Sequence, residues 1–135
     1  MTALAADRPT PRRSGQDLSL PVAASTKIYA GALVCVNASG YATKGAVSTT
    51  LKAVGVAQEQ VDNSAGANGD LRINVRRGVF LMGNSSAGDL IALADVGSTC
   101  YIVDDQTVAK TNGTSTRSAA GVVRDVDASG VWVEF

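Results

Sequence analysis

The sequence predicts an all-β fold: a small β-sandwich or β-barrel over residues 25–135, with an extended N-terminal arm over residues 1–24. Three observations predict it. Short apolar runs recur between clusters of Gly, Asn, Asp and Ser, which is the spacing of strands and turns. No long segment repeats its apolar residues with the period of a helix. All three prolines, Pro9, Pro11 and Pro21, lie in the first 21 residues, so the rest of the chain can pair its backbone without interruption.

The arm comes first. Residues 7–19 carry Asp7, Arg8, Arg12, Arg13 and Asp17 and few large apolar side chains, too little to order themselves by burial. The prolines bias this stretch toward extended geometry. Lys27-Ile28-Tyr29 then leads through Ala30-Gly31 to Leu33-Val34-Cys35-Val36, a strand. Asn37-Ala38-Ser39-Gly40 turns the chain and Tyr41-Ala42 resumes it. Residues 51–57 form a strand loosened by Gly55, and residues 62–70 form a loop.

Leu71-Arg72-Ile73-Asn74-Val75 alternates strictly, so Leu, Ile and Val share the buried face of a half-buried strand. Arg76-Arg77-Gly78 ends that alternation, and Val79-Phe80-Leu81-Met82 reads as a buried strand. Residues 84–89 form a second loop. Residues 42–50 or 90–95 have room for one short helical segment, with a strand the other reading of 90–94. Thr99-Cys100-Tyr101-Ile102-Val103 is a strand, Asp104-Asp105 a turn, and Thr107-Val108-Ala109 pairs back across it. A polar loop over 110–117 precedes two final strands, at residues 119–123 and 130–135.

A chain of 135 residues suits one domain with a tail. Apolar residues make up 45% but aromatics 4%, so Val, Ala, Leu and Ile must build the core. Twelve basic residues balance twelve acidic ones, and no global field favours nucleic acid or an acidic membrane. No stretch approaches the roughly 20 apolar residues of a transmembrane helix. The first seven residues are too short and polar for a signal peptide, so cytoplasmic synthesis is expected.

Catalytic chemistry finds few footholds. The chain has no histidine, the side chain that titrates nearest neutrality. Asp104 and Asp105 are adjacent, which in an extended chain points them apart and suits a turn. Asp125-Val126-Asp127 sets two carboxylates on one strand face, a spacing open to a hard cation or to a solvated edge. Ser85-Ser86 and Ser48-Thr49-Thr50 offer hydroxyls with no placed base. Cys35 and Cys100 stand alone and read as buried thiols in strands, with a disulfide or a metal pair the alternatives. Three Asn-X-Ser/Thr triplets, at Asn37, Asn84 and Asn112, read as turn chemistry. No catalytic residue, metal ligand or cofactor is expected.

Contact residues are easier to nominate. Arg8, Pro9, Pro11, Arg12 and Arg13 form an arm that orders against a neighbouring subunit, or else a tail without a role. Arg76 and Arg77, with Arg72, cluster at a strand end as a solvated face or a subunit contact. Trp132 and Phe135 alternate with Val131 and Val133, so one set faces away from the core, toward the sheet surface or a partner.

Several segments in order resemble a family of tailed-bacteriophage capsid decoration (cement) proteins. They are Ala30-Gly31-Ala32-Leu33-Val34, Gly55-Val56-Ala57, the loop from Asn63 to Asp70, and Val75-Arg76-Arg77-Gly78-Val79-Phe80. Tyr101-Ile102-Val103-Asp104-Asp105-Gln106-Thr107-Val108, Ala120-Gly121-Val122-Val123 and the closing Gly130-Val131-Trp132-Val133 continue the match. The resemblance covers roughly residues 27–135 and leaves the arm outside it. It implies a non-enzymatic virion protein on the capsid exterior, made in the host bacterial cytoplasm. Its implied partners are the major capsid protein and sister copies, as a trimer ahead of a dimer. On this reading Arg8, Pro9, Pro11, Arg12 and Arg13 contact the capsid, and Arg76, Arg77, Trp132 and Phe135 the sister subunits. The alternative is a carbohydrate- or host-binding module of the virion surface, of head-fibre type. A hydrolase is the remaining class.

Overall fold

In the computed structural model, which describes residues 2–135, the chain is almost entirely antiparallel β. The first five-stranded sheet runs β1-β7-β5-β3-β4. Its strands are β1 (Asp17–Pro21), β7 (Arg72–Arg76), β5 (Lys52–Ala57), β3 (Leu33–Val36) and β4 (Ala42–Lys44). The second runs β10-β9-β11-β12-β8. These are β10 (Val108–Ala109), β9 (Thr99–Ile102), β11 (Ala119–Asp127), β12 (Gly130–Glu134) and β8 (Val79–Met82). A two-stranded ribbon pairs β2 (Thr26–Ile28) with β6 (Val61–Asn63).

The first sheet is buried on both faces at β3 and β5, and on one face at β1 and β7. Leu33 and Cys35 of β3 join Val56 in a core with Cys100, Ile102, Val108, Val123, Val131 and Val133 of the second sheet. Val34, between them in sequence, points into a separate core with Ile73, Val75, Ile28 and Val61. A four-residue run without polar interruption is what a strand covered on both faces needs. The all-β expectation is met, with sandwich packing and partial barrel closure together. The second sheet curls until its ends meet: the Gly83 N–H donates to the Gln106 carbonyl at 2.7 Å, and the Val108 N–H to the Gly83 carbonyl at 3.0 Å.

Several expectations need correction. The arm stops at residue 16 and not at 24, because Asp17–Pro21 is an edge strand whose five residues pair with Arg76 through Arg72. Leu18, Leu20 and Val22 alternate in sequence and pack on the second core, a period-two signal that the surrounding charges and prolines masked. Met1, the first residue of the expected arm, lies outside the described residues. The expected loop over 62–70 gives up Asp62 and Asn63 to β6. Residues 42–44 are strand β4, and the helical segment over 90–95 is a single 3-10 turn, Leu93–Asp95, preceded by another at Ala87–Asp89.

Strand β8 is not buried. Val79 and Leu81 are 46% and 42% exposed, whereas Met82 is buried, because an edge strand with one covered face alternates. Phe135 shares the parity of Val131 and Val133 and so packs on the core against Phe80, with ring centroids 6.5 Å apart. Trp132 alone of the expected aromatic pair turns outward.

Gly78 marks the crossing from the first sheet to the second. Its φ of +150° lies where side-chain-bearing residues are rarely found. Gly55 has a similar requirement: its φ is +151°, and a Cβ there would overlap the Arg76 carbonyl oxygen.

Candidate functional site

The polar residues that first suggested chemistry are occupied with structure. Both cysteines are free and buried. Burial pushes the Cys35 thiol up to about 12 and the Cys100 thiol up to about 11, so neither supplies a thiolate near neutrality. The Asp104 carboxylate accepts the Gln106 N–H at 2.9 Å, the expected turn. Asp127 accepts the Trp132 indole N–H and the Ser129 N–H at 2.9 and 2.7 Å, and these bonds hold its carboxyl below the usual range. Asp125 accepts the N–H of Val126.

The three Asn-X-Ser/Thr triplets are turn devices, as expected. The Asn37 carbonyl oxygen takes the N–H groups of Ser39 and Tyr41. Asn84 holds both backbone groups of Ile91, accepting at 3.0 Å and donating at 2.9 Å. Asn112 accepts from Ser115. Among the described residues no buried side-chain nitrogen or oxygen lacks a partner. No group of three or more metal-ligand side chains gathers there either. No helix among them is long and apolar enough to cross a membrane.

What stands out instead is surface. Residues 2–16 are exposed throughout and carry no regular secondary structure. Arg8, Arg12 and Arg13 outnumber Asp7 there, and none of the three arginines is in an ion pair among the described residues. The whole chain has twelve charges of each sign, so the remaining 17–135 hold nine basic and eleven acidic residues. Arm and body are therefore of opposite sign.

The root of the arm is built by two of the nominated arginines. Arg76 meets the Asp17 carboxylate at 2.9 Å, and the Arg77 N–H donates to the Gln16 carbonyl at 2.7 Å. Arg13 borders an open cleft of about 530 Å³ with Asp17, Ser19, Asn74 and Arg76. Arg76 thus has its observed partner within its own chain. Of the four nominated interface residues the structure brings Arg77 and Phe135 to one cleft with Leu18 and Val54, while Arg76 turns to Asp17 at the arm root and Trp132 lies apart on the outer face of the second sheet.

Two apolar features escaped the sequence reading. Val79 and Leu81 lie beside Trp132 on the outer face of the second sheet, with Leu81 directly opposite Trp132 in register. No local signal marks them, since four apolar residues in a row read the same with one face covered or two. Leu90, Leu93 and Val96 are the other feature, exposed at three-residue spacing. Their loop is held rigidly by Asn84, by buried Ile91, by Arg117 to Asp89 at 3.2 Å and by Lys110 to Asp95 at 3.6 Å.

No family model matches the chain, and neither a curated protein nor a solved structure is similar to it by sequence or by fold.

Proposed function

We propose that this is a structural, non-enzymatic virion protein that binds the outer surface of a phage capsid and cements neighbouring major capsid subunits. The observation that carries the reading is the union of an exposed cationic arm with a body that anchors it in its own sheet. Gln16 bonds to Arg77, and the next five residues pair along β7. Tension on the arm is taken up by several ladder hydrogen bonds loaded together in shear. The resemblance carried by residues 27–135 supports the same reading.

Cementing needs no catalyst. It needs several modest contacts on one rigid support, which act together with a high effective concentration. The arm provides reach: its fifteen residues span up to about 50 Å when extended. Sister copies joined as a trimer multiply each contact, and the capsid exterior is where the protein resides.

The experiment is retention on expanded heads. Heads carrying the protein are expected to hold their DNA to a higher temperature than heads without it. Heads with the arm-deleted protein, lacking residues 2–14, are expected to lose it on dilution. Equal DNA loss with and without the protein overturns cementing. Binding to host cells or glycans with no binding to heads replaces it with the surface-binding alternative.

A further inference from the structure

Each sheet has two edge strands, and three of these four edges are finished. Hydrogen-bonded and open positions alternate along an antiparallel edge strand. Because Gln16 bonds to Arg77, the open positions of β1 are Asp17, Ser19 and Pro21. Pro21 has no N–H to offer, the Ser19 carbonyl accepts the Arg72 guanidinium at 2.7 Å, and Asp17 is charged and paired with Arg76. The edge of β4 is bridged by Val22 and Ala23 at Ala42. The edge of β10 is closed by Gly83.

Strand β8 is closed just past its end, where Gly83 meets β10, and is open along the rest of its length. The Phe135 N–H bonds to the Gly78 carbonyl, so Phe80 and Met82 also face β12, while Val79 and Leu81 face away. Among the described residues neither Val79 nor Leu81 has another backbone partner. Both side chains are exposed, apolar and without a neighbouring charge of their own strand. A bare apolar edge of this kind is a template for another strand.

The arm has the complementary pattern. In Arg8-Pro9-Thr10-Pro11-Arg12 the prolines alternate, so in extended form both missing N–H groups lie on one edge. Arg8, Thr10 and Arg12 present complete backbone groups on the other. Arg8 and Thr10 each precede a proline and are biased to extended conformation. Such a segment pairs on one side and ends the sheet on the other.

The chain's own arm does not take this place. It starts beside Arg77, two residues from Val79, yet residues 2–16 run exposed, because Gly78 at φ +150° turns β8 out of the line of β1.

We propose that the segment Arg8–Arg12 of one copy adds as an antiparallel strand to the open edge of β8 in a second copy. This rests on the cementing reading and deepens it: the arm ties sister copies to one another, so that load on one copy's shell contact reaches its neighbour through the arm. With Arg8 opposite Leu81, in line with Trp132, Thr10 stands opposite Val79; the register two residues on is closed, because it sets Arg8 at Gly83, whose outward N–H and C=O already bond to Gln106 and Val108. This register sets an arginine on the face that holds the indole ring, and the opposite signs of arm and body favour the approach. The contact is head-to-tail, and a ring closes it.

The test is the size of the free protein by sedimentation between 1 and 100 μM (about the range that reads micromolar affinity). The full chain is expected to associate, and the deletion of residues 2–14 to be monomeric. Thr10→Pro, which touches nothing in the folded body, is expected to weaken association about tenfold or more by removing the central arm N–H. Pro11→Ala is expected to leave it intact. Leu81→Lys is expected to be monomeric alone but to form a 1:1 complex with the arm-deleted chain. A monomeric full chain, an associated arm-deleted chain, unchanged association in Thr10→Pro, or no 1:1 complex on mixing each overturns the proposal. Head retention is read separately, so failure here leaves the cementing test standing, and the reverse holds too.

Discussion

Strands β1 and β8 are both edge strands with one ladder partner, and they finish their free edges in opposite ways. The open positions of β1 hold a charge, a capped carbonyl and a proline. Those of β8 hold Val79 and Leu81. The first pattern is how soluble sheets avoid growing, and the second is how a sheet invites a partner. The contrast marks β8 as the edge that its own chain leaves open. It also splits the N-terminal region: residues 17–21 belong to the body, and residues 2–16 belong to whatever lies outside it.

The largest expected effect lies at that split. Removing residues 2–22 takes away β1, the buried Val22 side chain and the partly buried Leu18 and Leu20. One fully buried side chain at about 1.5–3 kcal/mol, two partly buried ones worth less and the whole β1 ladder together make up a large share of the stability of a small domain. Circular dichroism is expected to show an unfolded or barely folded chain at 37 °C. Removing residues 2–14 is expected to move Tm by no more than about 2 °C, since no buried contact is lost. Equal damage by both deletions would place the body's boundary inside the arm.

The two faces of β8 come next. Met82→Ala is expected to cost about 2–4 kcal/mol by denaturant unfolding, because Met82 is buried in the core shared by both sheets. Leu81→Ala is expected to cost less than about 1 kcal/mol, because that side chain is already well exposed. Similar costs would mean that Leu81 is packed in the free protein.

Asn84→Ala is expected to cost about 1–3 kcal/mol, since it leaves the Ile91 backbone groups without the partners that pin the loop bearing Leu90, Leu93 and Val96. Smaller still is the pair at the arm root. Arg76 and Asp17 are half exposed, and Asp17→Asn is expected to change stability by less than about 1 kcal/mol and less again in high salt.

The pH dependence should be one-sided. Asp62 is lowered chiefly by the Ser64 hydroxyl, Asp89 by the Thr111 hydroxyl and Asp127 by the Trp132 indole. A carboxyl lowered in the folded state stabilises fully above its ordinary pKa of 3.8, and that contribution is lost as pH falls through the folded value. With no histidine, Tm is expected to be level from about pH 5.5 to 8 and to drop below about pH 4. A step near pH 6.5 would require a group that this chain does not have.

Much of the body was legible in the sequence because its side chains alternate. Ile73 and Val75 are buried and Arg72, Asn74 and Arg76 are not, as the pattern of that strand says, but Leu71, expected on the same buried face, is 43% exposed because it precedes the strand at the end of a loop. The run over Leu33–Val36 was readable as a covered strand, and Asn37, Asn84 and Asn112 as turn formers. The misreadings share one cause. Val79–Met82 is four apolar residues in a row, and such a run looks the same whether one face is covered or two. Leu18 and Leu20 are just two residues of alternation among charges and prolines. The apolar ridge over 90–96 has no period that a local pattern could report.

By itself the sequence determined the all-β class, the turns, the neutral charge of the whole and the absence of a histidine. These follow from local rules: side-chain period, turn chemistry and composition act within a few residues. Tertiary structure alone decided that β3 is covered on both faces, that β1 is sealed by Arg72 and Arg76 from a neighbouring strand, and that β8 lies bare at its edge. An edge is not a property of a strand. It is a property of what pairs beside it, and those partners lie tens of residues away: Arg72 is 53 positions from Ser19.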